Sequence, residues 1–210
     1  MIILVLNCGS SSIKYKVLDM KAEKDYSILA QGIVERIGLE MGGLTHKRLI
    51  GDKEKYKKEL PIPNHTVGIQ GVLNLLTDEK WGVLESLSQI KAVGHRVAQG
   101  GKYYKESVEI DEGVKNNIRK LAGLAPLHNP AHLLGIDAVE KLLPHAHQVA
   151  VFDTAFHQTM PEHAYMYAIP VELYEKYDIR RYGFHGTSHK FVARKGCELT
   201  GLDFNKAKVI

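Results

Sequence analysis

The sequence predicts an α/β fold, a mixed sheet flanked by helices, and three observations carry that prediction. The chain up to Leu60 is rich in apolar runs and alternations of strand length, while from Asn64 onward helical patterns alternate with short branched runs. No internal repeat, low-complexity stretch or membrane-length apolar run interrupts either part. Composition agrees, since 44% hydrophobic and 25% charged residues over 210 positions are ordinary for a folded protein.

The elements follow in order. Ile2 to Leu6 is a continuous branched run, the pattern of a strand buried on both faces. Ile13, Tyr15 and Val17 alternate with lysines in a second strand, and Ser10, Ser11 and Ser12 supply the turn between the two. A third strand fits Ile28 to Ile37, so the chain opens as an antiparallel, hairpin-rich sheet. Beyond the glycine-marked connection from Gly38 to Leu44, short strands are predicted at Thr45 to Ile50 and Tyr56 to Leu60. Asn64 caps a predicted helix from His65 to Leu76, with Val67, Val72, Leu75 and Leu76 at helical spacing. A short helix near Trp81 to Leu87 leads to a strand from Ile90 to Val97. Asp111 caps a helix through Leu121, and Asn129-Pro130 opens and caps another that carries Leu133, Leu134, Ile136 and Val139 to Leu142. Gln148 to Phe152 reads as a strand. A new unit is expected to begin there, dividing the chain into residues 1–149 and 150–210. Helices around Val171 to Tyr177 and from Thr187 to Leu199, stopped by Gly201, precede a strand that starts at Ala207.

Charge and cysteine usage narrow the function. Twenty-eight Lys+Arg against 24 Asp+Glu give +4, which suits a small anionic ligand and falls short of a nucleic-acid footprint. Lys53, Lys55, Lys57 and Lys58 are interrupted by Glu54 and Glu59 and read as a solvated hairpin face. Cys8 and Cys197 are far apart without metal-type neighbours, so a reduced, cytoplasmic setting is expected, with no membrane or nucleic-acid partner. HExxH, paired CxxC and Gly-x-Ser-x-Gly patterns are absent, and the 11 histidines form no ligand spacing, which removes zinc and serine hydrolases.

Five segments carry chemistry. In Asn7-Cys8-Gly9-Ser10-Ser11-Ser12-Ile13-Lys14, a strand delivers a Gly-Ser turn whose amides and hydroxyls can meet a phosphate, and the next strand adds a lysine. An ordinary polar hairpin turn is the alternative reading. Asn7 at the strand end can reach a hydrated Mg²⁺ or simply satisfy the turn. Gly94-His95-Arg96-Val97-Ala98-Gln99-Gly100-Gly101 places an arginine in an apolar strand, where its fork serves either a substrate carboxylate or a buried Asp or Glu. Pro126-Leu127-His128-Asn129-Pro130 sets a histidine at a helix start, with an incidental position as the alternative. Asp153 ends a strand, the usual place for reactive groups in α/β sheets, although a cap or turn former fits too. Gly183-Phe184-His185-Gly186 flanks a histidine with glycines that allow close backbone approach to a ligand.

Together NCGSSSIK, GHRVAQGG, APLHNP, VFDTAFHQTMP and RYGFHGTSH resemble the acetate kinase family, the acetate, propionate and butyrate kinases of the sugar kinase, Hsp70 and actin superfamily. That resemblance implies an actin-like ATPase fold and reversible, Mg²⁺-dependent transfer of the ATP γ-phosphate to acetate or another short-chain carboxylate, by a homodimer. It implies Asn7 at the Mg²⁺, Ser10, Ser12 and Lys14 on nucleotide phosphate, and Arg96 on the substrate carboxylate. It further implies Asp153 as catalytic or orienting carboxylate and His128 and His185 as donors to the phosphoryl group in transit. Ala98, where the family usually has valine, and Leu127 would wall the acyl pocket. The smaller side chain leaves room for propionate. Gln99 stands where histidine is common. Family members run to nearly twice this length, with a second phosphate loop, an adenosine pocket, an arginine and a glutamate beyond the matched part. The second unit is therefore expected to be incomplete and the 210 residues inactive alone. A non-catalytic, dimerising anion-binding fragment is the alternative, and pyrophosphate stays open as donor.

Overall fold

β1 (Ile2–Cys8), β2 (Ser12–Ala22), β3 (Asp25–Glu35), β4 (Gly42–Arg48) and β5 (Lys55–Leu60) run as an antiparallel meander in the computed structural model, which describes residues 1–23 and 25–209. On its other edge β1 pairs in parallel with β6 (Ile90–Val97), β6 pairs in parallel with β8 (His147–Phe152), and β7 (Val108–Glu109) closes the edge antiparallel. The sheet has eight strands in the order β5-β4-β3-β2-β1-β6-β8-β7. β1 is thus the seam between a hairpin-built half and a crossover-built half. β7 is too short for its sequence to mark it.

The crossovers are helical, as parallel neighbours require. α1 (His65–Leu76) lies between β5 and β6, and α2 (Glu112–Lys120) and α3 (Asn129–Leu142) between β7 and β8. Leu4, Leu6, Ile13, Val17 and Val93 from the sheet pack on Ile69, Val72, Leu73 and Leu76 of α1 and on Ala138 and Val139 of α3. A second cluster gathers Val97, Ile118, Ile136 and Phe152, with Phe152 stacked on Tyr104 at 4.3 Å between ring centroids. α4 (Glu162–Tyr165), α5 (Glu172–Tyr177) and α6 (Gly186–Thr200) follow β8, and no described residue after Phe152 is in a strand. The boundary expected at 149/150 falls inside β8, so the first layer continues through Phe152. Ala207–Val209 forms no strand, and the last residue of that expected strand, Ile210, lies outside the described residues.

Three local expectations are corrected. β1 is not buried on both faces: Leu4 and Leu6 are buried, whereas Val5 is 39% exposed, because the helices cover one face only. No helix forms from Trp81 to Leu87. Asp78 accepts from the amides of Lys80 and Trp81, and the Leu76 carbonyl takes the amides of Val83 and Leu84, so local side-chain bonding outcompetes a helical turn. Only a 3₁₀ turn at Leu87–Gln89 follows. Asn129 does not cap α3. His128 holds the cap position without a side-chain cap bond, and Asn129 is already helical. By contrast α1 has the predicted ends, with the Asn64 side chain accepting from Val67 N–H at 3.0 Å. The lysine-rich β5 is a largely exposed edge strand.

Candidate active site

Parallel strands end on the same side of a sheet, and here three such ends supply the polar groups. Leu6 sits beside His95, and Val97 beside Phe152, with all four side chains buried under the helices. Alternation therefore turns Asn7 and Arg96 to the opposite face, and Asp153 follows at the end of β8.

The Arg96 fork holds Asp153. Nε donates to Oδ1 at 3.0 Å and Nη2 to Oδ2 at 2.7 Å, while Nη1 donates to Asn7 Oδ1 at 3.2 Å. Asp153 is 2% exposed and its amide donates to the Val97 carbonyl at 2.9 Å. The geometry is the bidentate, charge-assisted kind that fixes orientation as well as charge. The Arg96 side chain remains 35% exposed and turns its free edge to a cleft of about 400 Å³. Ala98, Leu124, Ala125, Pro126 and Leu127 give that cleft apolar walls, and His128, Phe184 and His185 also line it.

His185 Nδ1 lies 3.9 Å from Asp153 Oδ2. Its backbone is left-handed at φ 56°, an uncommon conformation for a residue with a side chain, and it is held there by the Gly186 amide donating to the Asp153 carbonyl at 2.9 Å. The protein's own packing already requires both flanking glycines. A Cβ on Gly186 would strike the Asp153 carbonyl, and one on Gly183, at φ 71°, would strike the His157 ring.

The serine turn is built separately. Gly9 N–H donates to the Ser12 carbonyl at 2.7 Å, Ile37 N–H to the Ser11 carbonyl at 3.0 Å, and His65 Nε2 to the Gly9 carbonyl at 2.7 Å. Lys14 pairs directly across from Asn7 on the uncovered sheet face, in a shallow depression with Val5, Lys16 and Lys47. Ser10, Ser12 and Lys14 therefore do not line the Arg96 cleft. Asn7 touches both regions, through Arg96 on one side and the depression on the other.

Two neutral histidines back the site. His95 and His132 are each 2% exposed, and burial pushes both down to about 4. Nearby Arg96 and His128 lower His132 further, against the pull of Asp153. Neither ring competes as a cation with Arg96. Burial also pushes the Cys8 thiol up to about 12, leaving it unreactive at neutral pH. No group of three or more His, Cys, Asp or Glu among the described residues is arranged to hold a metal ion. Asn7 Oδ1 and the Asp153 oxygens already accept from Arg96, so the donor set does not suit a resident metal.

Sequence reasoning missed Phe184 and the true position of Asn129. Phe184 was signalled only by its place beside His185, and Asn129 was masked by its resemblance to a helix cap.

A family model described as the Acetokinase family matches residues 2–210. Acetate kinase of Thermosipho africanus is 54% identical over 210 residues, covering 100% of this chain and 50% of its own length. Acetate kinase of Thermotoga maritima is 53% identical over 208 residues, covering 99% of this chain and 50% of its own. Among solved structures, Porphyromonas gingivalis acetate kinase superposes with a TM-score of 0.88 at 49% identity, over 98% of this chain and 50% of that one. A Francisella tularensis propionate kinase gives a TM-score of 0.86 at 39% identity, over 96% and 50%. The chain thus spans about half the length of these relatives.

Proposed function

The chain belongs to the acetokinase family, with the actin-like ATPase fold of its structural neighbours, and from that premise we propose that it carries the carboxylate-binding machinery of an acyl-phosphate-forming kinase. The reaction is reversible transfer of the ATP γ-phosphate to acetate, or to propionate, giving the acyl phosphate and ADP.

One observation carries the reading: a guanidinium oriented by a buried carboxylate opens onto a small apolar-walled cleft with two histidines on its lining. Acetate asks for that combination, since its charged end needs forked donors and its methyl an apolar wall. Arg96 would take the carboxylate on its free edge, with Asp153 fixing the direction of the fork. Ala98 and Leu127 would receive the alkyl end. His128 and His185 would donate to the phosphoryl oxygens, and Ser10, Ser12 and Lys14 would hold the phosphates of the nucleotide. Mg²⁺ entering with the nucleotide would neutralise phosphate charge, with Asn7 as its protein contact. Transfer of this kind needs positioning and charge stabilisation rather than covalent work by the protein.

A homodimer in the cytoplasm fits this reading. No helix of the described residues is long and apolar enough to cross a membrane.

Hydroxylamine trapping of acetyl phosphate from acetate and MgATP, with the purified 210-residue chain, tests sufficiency for turnover. An NMR titration with acetate tests the cleft itself. Acetate binding that disappears with Arg96 supports the proposal, and wild-type chain that binds no carboxylate refutes it.

A further inference from the structure

The two walls of the cleft come from different elements. Ala98 follows β6, whereas Leu127 and His128 precede α3. Leu127 is 76% exposed, so its place is set by the backbone it rides on rather than by its own packing. What joins the walls is Asn129. Its side chain is fully buried, its Oδ1 accepts from Gln99 N–H at 3.2 Å, and its Nδ2 donates to the carbonyls of Gln99 and Ile118, each at 3.1 Å. The amide thus pairs with both backbone groups of Gln99, as a neighbouring strand would, just past the end of β6. Both amide hydrogens are used, one of them on the α2 side, which ties the clamp to the scaffold. Gln99 is 1% exposed and its Oε1 accepts from Gly101 N–H at 2.9 Å, so the residue being clamped is also tied within its own turn.

Resting on the carboxylate reading above, we propose that Asn129 is a positioning residue that fixes the spacing of the cleft walls and so sets the chain length of the acid admitted. It stands next to His128 in sequence, and its partner Gln99 stands next to Ala98. A change at either end of the clamp moves one wall against the other. The requirement is for one acceptor and two donors in a fixed orientation, which a carboxylate cannot meet because it would face two carbonyl oxygens.

The test titrates the 210-residue chain with acetate, propionate and butyrate by ligand-observed NMR and follows hydrogen exchange of the Gln99 amide. Asn129→Asp and Asn129→Ser are compared with Asn117→Ala, which removes a bond between α2 and Tyr104 without touching the clamp. The expected result is Gln99 exchange at least tenfold faster and an acetate-to-butyrate affinity ratio shifted at least threefold toward butyrate, with the ratio unchanged in Asn117→Ala. Gln99→Met, which frees only the Gly101 anchor, shifts the ratio the same way by less, and it decides the matter should the Asn129 variants not fold. An unchanged ratio in folded clamp variants overturns this inference alone. A wild-type chain that binds none of the three acids overturns the functional reading, and the specificity role with it.

Discussion

Arg96 has two tasks that one substitution cannot separate. It neutralises the buried Asp153 and it offers a cation to the cleft. Arg96→Gln leaves a buried carboxylate unpaired, at a cost of about 3 kcal/mol. Adding Asp153→Asn removes that orphaned charge and should restore at least half of the loss, read from urea denaturation midpoints. Acetate binding stays absent in both variants. If the double variant regains it, the carboxylate site lies elsewhere. Ala98 gives the second prediction, because its buried methyl faces the same cleft. Ala98→Val adds two methyl groups, each equivalent to about 0.8 kcal/mol of apolar volume, and should lower the propionate-to-acetate affinity ratio by about three- to tenfold. The convergence of Asn7, Arg96 and Asp153 comes from the parallel pairing of β1, β6 and β8, whereas the sequence showed only that Asn7 and Asp153 follow predicted strands and that Arg96 lies one residue from the end of another. The sequence could not reveal the partner of Arg96. Spacing shows that a buried guanidinium needs an anion, not whether the anion is in the protein or in its ligand.

Among the elements, α3 packs against β1 and carries the cleft residue His128 at its N-terminus. Its approach to β1 depends on Gly135, where a Cβ would sit 2.5 Å from Cys8 Sγ and 3.1 Å from Cys8 Cβ. Alanine is the better helix former by roughly 1 kcal/mol, yet the contact is with a buried side chain at the end of a central strand. Gly135→Ala should therefore destabilise by about 1–3 kcal/mol, and Cys8→Ala in the same chain should recover part of that in a thermal unfolding series. α2 is tied to α3 by Lys115, whose ammonium reaches Glu112, Glu140 and Asp137 within 3.2 Å. Bonds to Glu112 and Glu140 raise it well above an ordinary lysine. Helix limits were readable where a cap residue stood before an apolar stripe, as at Asn64 and Asp111. They were unreadable near Trp81, because Asp78 and the Leu76 carbonyl captured the amides that a helix would have used.

At the scale of the whole molecule, three buried histidines make the fold acid-sensitive. His46 accepts from Tyr15 OH at 2.6 Å and donates from Nε2 to the Trp81 carbonyl at 3.0 Å, and burial lowers it, as burial lowers His95 and His132. The unfolded chain takes up these protons near pH 6.5 and the folded one only near 4 for His95 and His132, so the unfolded state binds more protons in between. Their stabilisation is complete above pH 6.5 and declines as pH falls, by at most about 1.4 kcal/mol per unit for each histidine. Urea midpoints at pH 7.5 and 5.0 should show that decline, and His46→Gln should make it shallower. A midpoint that holds between those pH values would refute the assignment.

The seam at β1 has a consequence for the order in which the molecule assembles. Its contacts with β2 close a short hairpin, whereas β6 reaches it from more than 80 residues away, and Arg96 meets Asp153 across 57 residues and Asn7 across 89. Loop-closure entropy favours the near pairings first. Substitutions in β2 and β3 should slow refolding, while those in β8 should chiefly speed unfolding, giving high φ-values in the meander and low ones beside the cleft. On the proposed reading that edge is the last part to form and the first to open, and acetate held at Arg96 should slow unfolding and so lengthen the life of the folded state.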